Sequence, residues 1–556
     1  MPSRKRPTRL VAHALARFSH LPPPTSDFTV RRGVRIPMRD GVELLATHYI
    51  PETRAPDTAS PAGTLLVRCP YGRGFPFATL FGTVYAARGY HVVLQSVRGT
   101  FGSGGDFVPM VNEVADGADT VAWLRTQRWF TGSFATMGLS YLGFTQWALL
   151  KDPPPELKAA IISVGPHDFN ASSWGTGSFS LNDFLGWSDM AAHQEDPIRI
   201  RAAVRQFTAP RTVNRTSYQL PLGVTGRTLL GTGATWYESW LEHPDADDPF
   251  WDALRVPEAL DRVEVPVLLI SGWQDLFLQQ TLEQYRHLRA RNITTALTVG
   301  SWMHAQLMSV GAPTATRETL AWLDTHLRGQ PAPPRSPVRV HVTNGDWIDL
   351  PAWPPPMTER VLYLQPAHRL SATRPDDGAP PSTFTYDPAD PTPTIGGRLL
   401  SNEGGYRDDG ALAKRADVLD FTGDPLPADL YVVGTPLVAL SHSCDNPNHD
   451  VFVRVSEVDA KGDSHNVADG FRRLTDNSED PLRLELDPVA YRFRAGSRIR
   501  VMIAGGSHPR FARNLGTGEA VISGRSMKSA THTVHHGEGG VSSLRLPAGA
   551  QPPSAH

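Results

Sequence analysis

Short apolar runs and longer helical segments alternate along the first part of the chain. Residues 112–127 repeat apolar positions at helical spacing, and residues 34–51 alternate polar and apolar side chains about Asp40-Gly41, which predicts a hairpin. Strands that alternate with helices predict a mostly parallel sheet with both faces covered. The apolar runs typical of its buried strands lie at 64–70, 90–97, 134–140 and 159–165.

This alternation stops at residue 166 and resumes after residue 257. The segment between them is rich in Trp, Phe, Arg and Asp, and it has no apolar run long enough for a central strand. Strand-like runs return at 263–275 and 294–304, and a helical pattern follows at 316–329. We therefore interpret 166–257 as a helical insertion in an α/β domain.

The character of the chain changes again after 330–337, a Pro-rich segment with the composition of a linker. Beyond it, short alternating strands are separated by turns rich in Pro and Gly. In one of them Val451, Val453 and Val455 share one face. Many short strands of this kind predict an all-β sandwich or jelly roll.

The patterns together predict an α/β fold class with an all-β C-terminal domain. A chain of 556 residues exceeds the roughly 250–300 residues at which a single core stops growing, which agrees with several domains. The predicted segments are an N-terminal extension (1–30), the first part of the α/β core (31–165), a helical cap (166–257), the second part of the core (258–330) and a C-terminal β-sandwich (338–548).

Charge and composition restrict the partners and the compartment. The net charge is -2, so the chain has no bulk field that would attract nucleic acid or an anionic membrane, and no run approaches the ~18 apolar residues of a membrane span. The sequence has only two cysteines, Cys69 and Cys444, which excludes a disulfide framework but leaves one long-range bridge open. His13 and Arg17 interrupt the apolar N-terminal stretch, so we expect a cytoplasmic protein, with a poor export signal as the alternative.

A serine stands where a predicted strand meets a predicted helix, in FATMGLSYLGFTQWALL (134–150). A strand that turns sharply into a helix exposes the residue at the bend and points the free N–H groups of the helix towards it. Ser140 would then be a nucleophile, and the N–H of Tyr141 would help to bind an oxyanion. The general motif has glycine where this chain has Leu142, with Gly143 following it. On this motif alone an ordinary serine in a turn stays open.

Two later loops contain the partners that such a serine needs. Asp275 follows one apolar strand and His304 follows the next, and both lie where open α/β sheets place their sites. The order Ser–Asp–His is that of serine hydrolases built on an α/β sheet. Two other histidines are less suitable as the base: His167 precedes the acid, which breaks this order, and His287 lies on a predicted helix. Asp275 as a helix cap and His304 as a structural loop residue are the alternatives, but their joint placement favours a catalytic triad with Ser140.

Several motifs together resemble one enzyme family, that of cocaine esterase, X-Pro dipeptidyl peptidase and α-amino-acid ester hydrolase. The family signature Gly-x-Ser-Tyr-x-Gly matches residues 138–143, which also accounts for the displaced glycine. The resemblance covers residues 34–545 and implies an α/β-hydrolase core, a helical cap and a C-terminal jelly roll. The other matching stretches are MRDGVELLATHYIP, RCPYGRG, SVRGTFGSGG, GWQDLF, GSWMH, YDPADPTPTIGG, FVRVSEVDAKGDSHNVADG and HPRFARNLGTG.

The resemblance also assigns residues around the predicted triad. Tyr71, in the CPYG stretch, is similar to the family tyrosine whose hydroxyl completes the oxyanion hole. Phe277 resembles a residue of the family's acyl pocket, and we expect Trp187 of the cap to line the substrate pocket as well. One departure is Ser96, which stands where many members have Asp, and we expect it to affect only local packing or pocket polarity.

These observations predict a serine carboxylesterase that acts on a small-molecule ester or amide, without a metal or another cofactor. An X-Pro dipeptidyl peptidase or α-amino-acid ester hydrolase is the alternative, and it would need cap carboxylates to bind a substrate ammonium group. A third alternative is a hydrolase fold that has lost catalysis and acts as a binding scaffold. A homodimer is left open. The candidate carboxylates of the cap are Asp183, Asp189, Glu195, Asp196, Glu238 and Glu242.

Overall fold

The structure is a computed structural model, and it describes residues 16–17, 21–52, 62–477, 479–537 and 539–553. Most of the predicted N-terminal extension lies outside these residues. The first strand begins at Asp27, so the α/β core starts inside the segment that the sequence assigned to the extension.

A ten-stranded sheet forms the centre of the α/β domain. Its strand order is β1-β2-β4-β3-β5-β6-β7-β8-β9-β10. Strands β3 to β9 pair in parallel, whereas β1, β2 and β10 add antiparallel edges. The bounds are β1 Asp27–Pro37, β2 Glu43–Glu52, β3 Thr64–Cys69, β4 His91–Ser96, β5 Phe134–Leu139, β6 Leu157–Ser163, β7 Val267–Gln274, β8 Thr295–Met303, β9 Val338–His341 and β10 Trp347–Leu350.

Helices cover both faces of this sheet, which is why its central strands are buried along their whole length. The predicted hairpin about Asp40-Gly41 is the pair β1–β2. The covering helices are α1 Val84–Ala86, which continues a π-helical turn at Ala78–Thr83, α2 Glu113–Arg125, α3 Tyr141–Leu150, α9 Glu258–Arg262, α10 Leu278–Ala290 and α11 Ala312–His326, with a 3-10 turn at Ala305–Met308.

The cap is helical and follows β6, as predicted. Its aromatic side chains pack on one another and continue the hydrophobic core of the α/β domain. The ring of Phe169 lies 4.7 Å from that of Phe184 and 4.5 Å from that of Trp240. The cap helices are α4 Phe169–Ser173, α5 Leu181–His193, α6 Arg199–Ser217, α7 Leu222–Leu230 and α8 Trp236–Glu242, followed by a 3-10 turn at Pro249–Ala253.

The C-terminal domain is rich in β-strands, as the sequence predicted. An eleven-stranded sheet has the order β19-β18-β22-β14-β12-β11-β24-β15-β21, with β16 joining β24 to β20, and β13-β23-β17 form a small second sheet. A 3-10 turn lies at Leu412–Lys414. The strands are β11 Thr358–Gln365, β12 Arg369–Ser371, β13 Ser382–Tyr386, β14 Val418–Thr422, β15 Leu430–Gly434, β16 Leu437–Leu440, β17 His442–Cys444, β18 His449–Val458, β19 Ser464–Leu474, β20 Leu482–Glu485, β21 Val489–Phe493, β22 Arg498–Ala504, β23 Ala530–Val534 and β24 Ser543–Gly549.

The change from one sheet to the other differs from the predicted boundary at residue 338. Strand β9 pairs with β8, and β10 pairs with β9, so residues 338–350 extend the α/β sheet. The sequence placed them in the β-sandwich because short alternating strands look the same whichever sheet they join.

The cap lies between the core and the C-terminal domain and contacts the latter through backbone groups. The N–H of Asn182 donates to the carbonyl oxygen of Pro509 at 2.9 Å, and the N–H of Gly223 donates to that of Ile522 at 3.0 Å. Cys69 and Cys444 are free thiols, so they do not form the bridge that the sequence left open. Among the described residues, no helix is both long enough and apolar enough to cross a bilayer.

Candidate active site

Ser140 occupies a strained turn between β5 and α3. Its backbone angles are φ 60° and ψ −125°, a conformation that a non-glycine residue adopts at a cost on the order of 1–3 kcal/mol. Its N–H donates to the carbonyl oxygen of Ser163 at 2.9 Å, and its own carbonyl accepts from the N–H of Gly143 at 2.7 Å. The bend therefore holds the hydroxyl at the carboxyl end of the sheet, beside the first turn of a helix.

Two glycines make room for this turn, and they explain the shifted motif. A Cβ at Gly138 would lie 2.4 Å from the Cβ of Leu142, and a Cβ at Gly143 would lie 2.5 Å from the Cα of Gly165. Helix α3 thus meets the loop after β6 at Gly143, one residue later than in the general motif. The larger Leu142 is buried on the other side of the turn.

Asp275 and His304 come together from the loops after β7 and β8. The Nδ1 atom of His304 lies 2.9 Å from Oδ2 of Asp275, and both side chains are buried. The second oxygen, Oδ1, accepts the backbone N–H of Phe277 at 2.6 Å. Because Nδ1 faces the carboxylate, Nε2 is the ring nitrogen left for another partner.

Phe277 joins this pair to the serine. Its ring meets the ring of His304 edge to face, with 5.5 Å between centroids and an interplanar angle of 75°. Phe277 also lines the small cavity of about 30 Å³ that includes Ser140, Tyr71 and Trp187. Five of the predicted residues, Tyr71, Ser140, Tyr141, Trp187 and Phe277, line this cavity. His304 and Asp275 adjoin it through the contact of His304 with Phe277.

Trp187 holds the hydroxyl of Tyr71 in a defined orientation. The indole Nε1–H donates to the Tyr71 oxygen at 3.0 Å. Burial raises the pKa of Tyr71, and hydrogen bonds with Trp187 and with the side chain of Ser140 oppose that rise. Since an indole N–H only donates, the phenol oxygen accepts from Trp187, and its own O–H stays available as a donor near Ser140.

Tyr141 takes part in a buried network that the sequence analysis missed. Its hydroxyl donates to Oε1 of Glu113 at 2.8 Å and accepts the N–H of Met110 at 2.7 Å. Glu113 in turn pairs with Arg68 at 2.8 Å, with both side chains buried. The signal was present in the sequence, because an arginine inside the apolar run of β3 needs a buried partner. This network holds Tyr141 in place, and the backbone N–H of Tyr141 is the one that directly follows Ser140.

The C-terminal domain also contributes to the cavity, through Leu400. The backbone N–H of Leu400 donates to Oδ1 of Asp183, on cap helix α5, at 2.7 Å. Burial raises the pKa of Asp183 to about 6, although this hydrogen bond and the positive charge of Arg510 oppose the rise. Asp183 thus links the cap to the C-terminal domain beside the site.

Histidines outside the site have structural partners. His167 is buried and its Nδ1 lies 3.1 Å from Nε2 of Gln284, and His287 bonds to Asp261 at 2.8 Å. In the C-terminal domain Nε2 of His442 lies 3.0 Å from Nδ1 of His532. Within the described part of the chain, no three His, Cys, Asp or Glu side chains are arranged to hold a metal ion.

Known proteins match this chain over both of its parts. The family model of the X-Pro dipeptidyl-peptidase (S15 family) matches residues 40–306, and the model of the X-Pro dipeptidyl-peptidase C-terminal non-catalytic domain matches residues 331–545. The cocaine esterase of Rhodococcus sp. is 29% identical, over 94% of this chain and 99% of that protein.

Solved structures share the complete arrangement of domains. An aminopeptidase from a marine sediment archaeon (Thaumarchaeota) superposes with a TM-score of 0.79 at 22% identity, covering 94% of this chain and 96% of the other. An α-amino acid ester hydrolase superposes with a TM-score of 0.77 at 22% identity, covering 94% and 97%. These likenesses confirm the predicted fold. Both family models match in order along the sequence, so the chain contains an S15-family serine hydrolase domain followed by the C-terminal non-catalytic domain of X-Pro dipeptidyl peptidases.

Proposed function

We propose that this protein hydrolyses carboxylic esters of small molecules through an acyl-enzyme on Ser140, with His304 as the base and Asp275 as the acid of the triad. One observation carries the proposal. Ser140 adopts a strained turn in a cavity that it shares with Phe277, and Phe277 packs on the histidine whose Nδ1 is 2.9 Å from Asp275. Strain is retained where the surrounding structure and the function require it.

In the proposed first step, Nε2 of His304 accepts the hydroxyl proton of Ser140 while Oγ bonds to the carbonyl carbon of the ester. Asp275 keeps the proton of the neutral imidazole on Nδ1 and stabilises the imidazolium that forms. The tetrahedral intermediate then expels the alcohol, which takes its proton from Nε2. Water repeats the sequence on the acyl-enzyme and releases the acid.

Two donors are suited to the oxyanion of this intermediate. One is the N–H of Tyr141, at the start of α3, and the other is the O–H of Tyr71, which the bond from Trp187 leaves free to donate. Both are fixed before substrate arrives, because Trp187 positions one and the Glu113 bond positions the other. Fixed donors need no reorganisation during the reaction, which is why they lower its barrier.

Labelling with a fluorophosphonate probe tests the proposal. We expect rapid labelling of the purified protein on Ser140, and we expect both labelling and ester hydrolysis to disappear in Ser140→Ala. The matched control is Ser309→Ala, at an exposed serine outside the site, which should behave like the wild type. Full hydrolysis by Ser140→Ala would exclude the proposed nucleophile, and an unlabelled, inactive wild type would favour the binding scaffold.

A second candidate, hydrolysis of X-Pro peptides or amino-acid esters, has one structural observation in its favour. Asp183 is a buried carboxylate in the cap next to the cavity, where a substrate ammonium group could bind. However, Asp183 already accepts the N–H of Leu400, and Asp189 is paired with Arg205. The esterase is therefore the better supported function. A panel of short-chain aryl esters and X-Pro anilides separates the two, because only a peptidase would prefer the anilides.

A further inference from the structure

Two cavities of very different size adjoin at Trp187 and Leu400. The cavity at Ser140 has a volume of about 30 Å³. The second, here called the cap chamber, is lined by helices α5 and α6 and by the loop at 400–403, and its volume is about 460 Å³. Trp187 and Leu400 line both. A carbonyl group held at Ser140 would therefore have a confined space on one side and a large space on the other.

The confined side is lined by rigid side chains. Phe169, Phe184 and Phe277 line it, and each is at least nine-tenths buried. A cavity needs a volume of about 10–15 Å³ to hold one water molecule, so a volume of about 30 Å³ accepts roughly two or three non-hydrogen atoms. Packed aromatic rings resist expansion, because a core that must accept extra methylene groups is strained.

The cap chamber has the size of an ordinary ligand site, since such sites enclose roughly 300–1,000 Å³. Ala209, Pro210 and Val213 supply apolar surface, and the two buried carboxylates are already bonded, Asp183 to the Leu400 N–H and Asp189 to Arg205. The chamber reaches the surface at Met190, which is 45% exposed. It therefore suits a bulky, mainly apolar group that must enter from solvent and return to it.

The chemistry of the reaction decides which part of the ester lies on which side. The acyl group stays bonded to Ser140 after the first step, so it can occupy a narrow pocket without a route to solvent of its own size. The alcohol must leave before water attacks, so it needs a route to solvent. We infer that this protein hydrolyses esters that join a short acyl group, acetyl or propionyl, to a bulky apolar alcohol. The inference rests on the esterase function proposed above.

A pair of isomeric esters tests this substrate class. Cyclohexylmethyl acetate and methyl cyclohexylacetate have the same atoms and alkyl leaving groups, but the ring lies on opposite sides of the ester. We expect kcat/KM for the acetate to be at least about tenfold higher, which is the discrimination that a pocket too small by one or more methylene groups gives. Equal values, or a preference for methyl cyclohexylacetate, would overturn the inference.

Fluorophosphonate labelling of the same preparation separates this failure from failure of the esterase proposal. Protein that labels at Ser140 and hydrolyses both isomers equally is an esterase without the inferred preference. Protein that neither labels nor hydrolyses either isomer contradicts the function itself, and the inference with it.

Filling the cap chamber gives a second test. Val213→Trp places a large ring in the chamber, and the ratio of kcat/KM for cyclohexylmethyl acetate to that for ethyl acetate should fall about tenfold. The matched control is Val224→Trp, at a position that is 50% exposed and outside the chamber, and it should keep the wild-type ratio.

Val213 is buried, so its replacement could prevent folding, which circular dichroism would detect. Ala209→Trp is the alternative, because Ala209 is only half-buried and lines the same chamber. A wild-type ratio in a folded variant of either kind would mean that the alcohol does not occupy the chamber.

Discussion

At the scale of single residues, the polar side chains around Ser140 are held by specific hydrogen bonds. His304 bonds to Asp275, and Tyr71 accepts from Trp187. The direction of the Trp187 bond matters, because a phenol oxygen that accepts one hydrogen bond can still donate its own proton to another group. Site residues are thus oriented by partners that do not themselves react.

The Tyr71 hydroxyl gives the first prediction. Tyr71→Phe removes one of the two proposed oxyanion donors, and we expect kcat to fall by about 10²–10³-fold with little change in KM. Steady-state kinetics with a short-chain ester measures both constants. Trp187→Phe is the companion variant: it keeps the Tyr71 hydroxyl but removes the bond that orients it. Its kcat should fall less than that of Tyr71→Phe. Unchanged kcat in Tyr71→Phe would assign the oxyanion to other donors.

At the scale of elements, the site depends on how closely α3 approaches the sheet. Gly143 on the helix touches Gly165 in the loop after β6, and Ser140 is held between β5 and that helix. No side chain fits at this contact. The conformation of Ser140 and the packing of the helix are therefore one structural requirement.

Adding a methyl group at this contact gives the second prediction. Gly143→Ala places a Cβ 2.5 Å from the Cα of Gly165, and backbone cannot rotate away as a flexible side chain can. We expect the free energy of unfolding to fall by about 1–3 kcal/mol, as in other overpacked cores, and activity to fall with it. Chemical denaturation measures the first and ester hydrolysis the second.

The control for this prediction is Gly378→Ala, where an added Cβ would have no atom within 4 Å. Its stability should equal or slightly exceed that of the wild type, because alanine restricts the unfolded chain. Equal stability of the two variants would mean that α3 can move outwards without lowering the free energy of unfolding.

At the scale of the whole molecule, both the α/β core and the C-terminal domain enclose neutral histidines. Burial, together with neighbouring charges, lowers the pKa of His48 to about 3 and that of His442 to about 3. His48 pairs with His91 at 2.9 Å, and His442 pairs with His532 at 3.0 Å. Burial disfavours the first proton on such a pair, and repulsion between the two rings disfavours the second, so both histidines are neutral in the fold.

The third prediction concerns acid. In the unfolded chain a histidine binds a proton as the pH falls through about 6.5, whereas in the folded protein His442 does so only near pH 3. The unfolded state therefore binds more protons between these values, and stability falls as pH falls through this window, by about 1.4 kcal/mol per pH unit for each such histidine. Denaturation series from pH 7 to pH 4 measure the slope.

His442→Gln removes one of these histidines and should reduce the slope by one such increment. Ser309→Ala, at an exposed residue without a titratable side chain, serves as the control and should keep the wild-type slope. If both variants keep it, groups other than the buried histidines govern the loss of stability in acid.

The sequence predicted the fold class and the residues that gather at the edge of the sheet. The candidate site residues could be named because strand order along the chain, with the rule that parallel strands end at one edge, brings distant loops together. Their catalytic roles stay a prediction. The sequence analysis missed Glu113 and Arg68 behind Tyr141, and it placed residues 338–350 in the wrong sheet. Ion-pair partners and strand neighbours are chosen by contacts between distant segments, and local patterns carry little information about those contacts.

By itself the sequence determined the periodic elements, the glycine-lined turn at Ser140 and the order of the candidate triad, because all three follow from local sterics and chain order. Tertiary structure alone decided that Trp187 binds a tyrosine 116 residues away and that Asp183 binds a backbone group 217 residues away. It also decided the sizes of the two cavities. The physical reason is that a cavity is the space left between packed elements, and its volume depends on every wall at once.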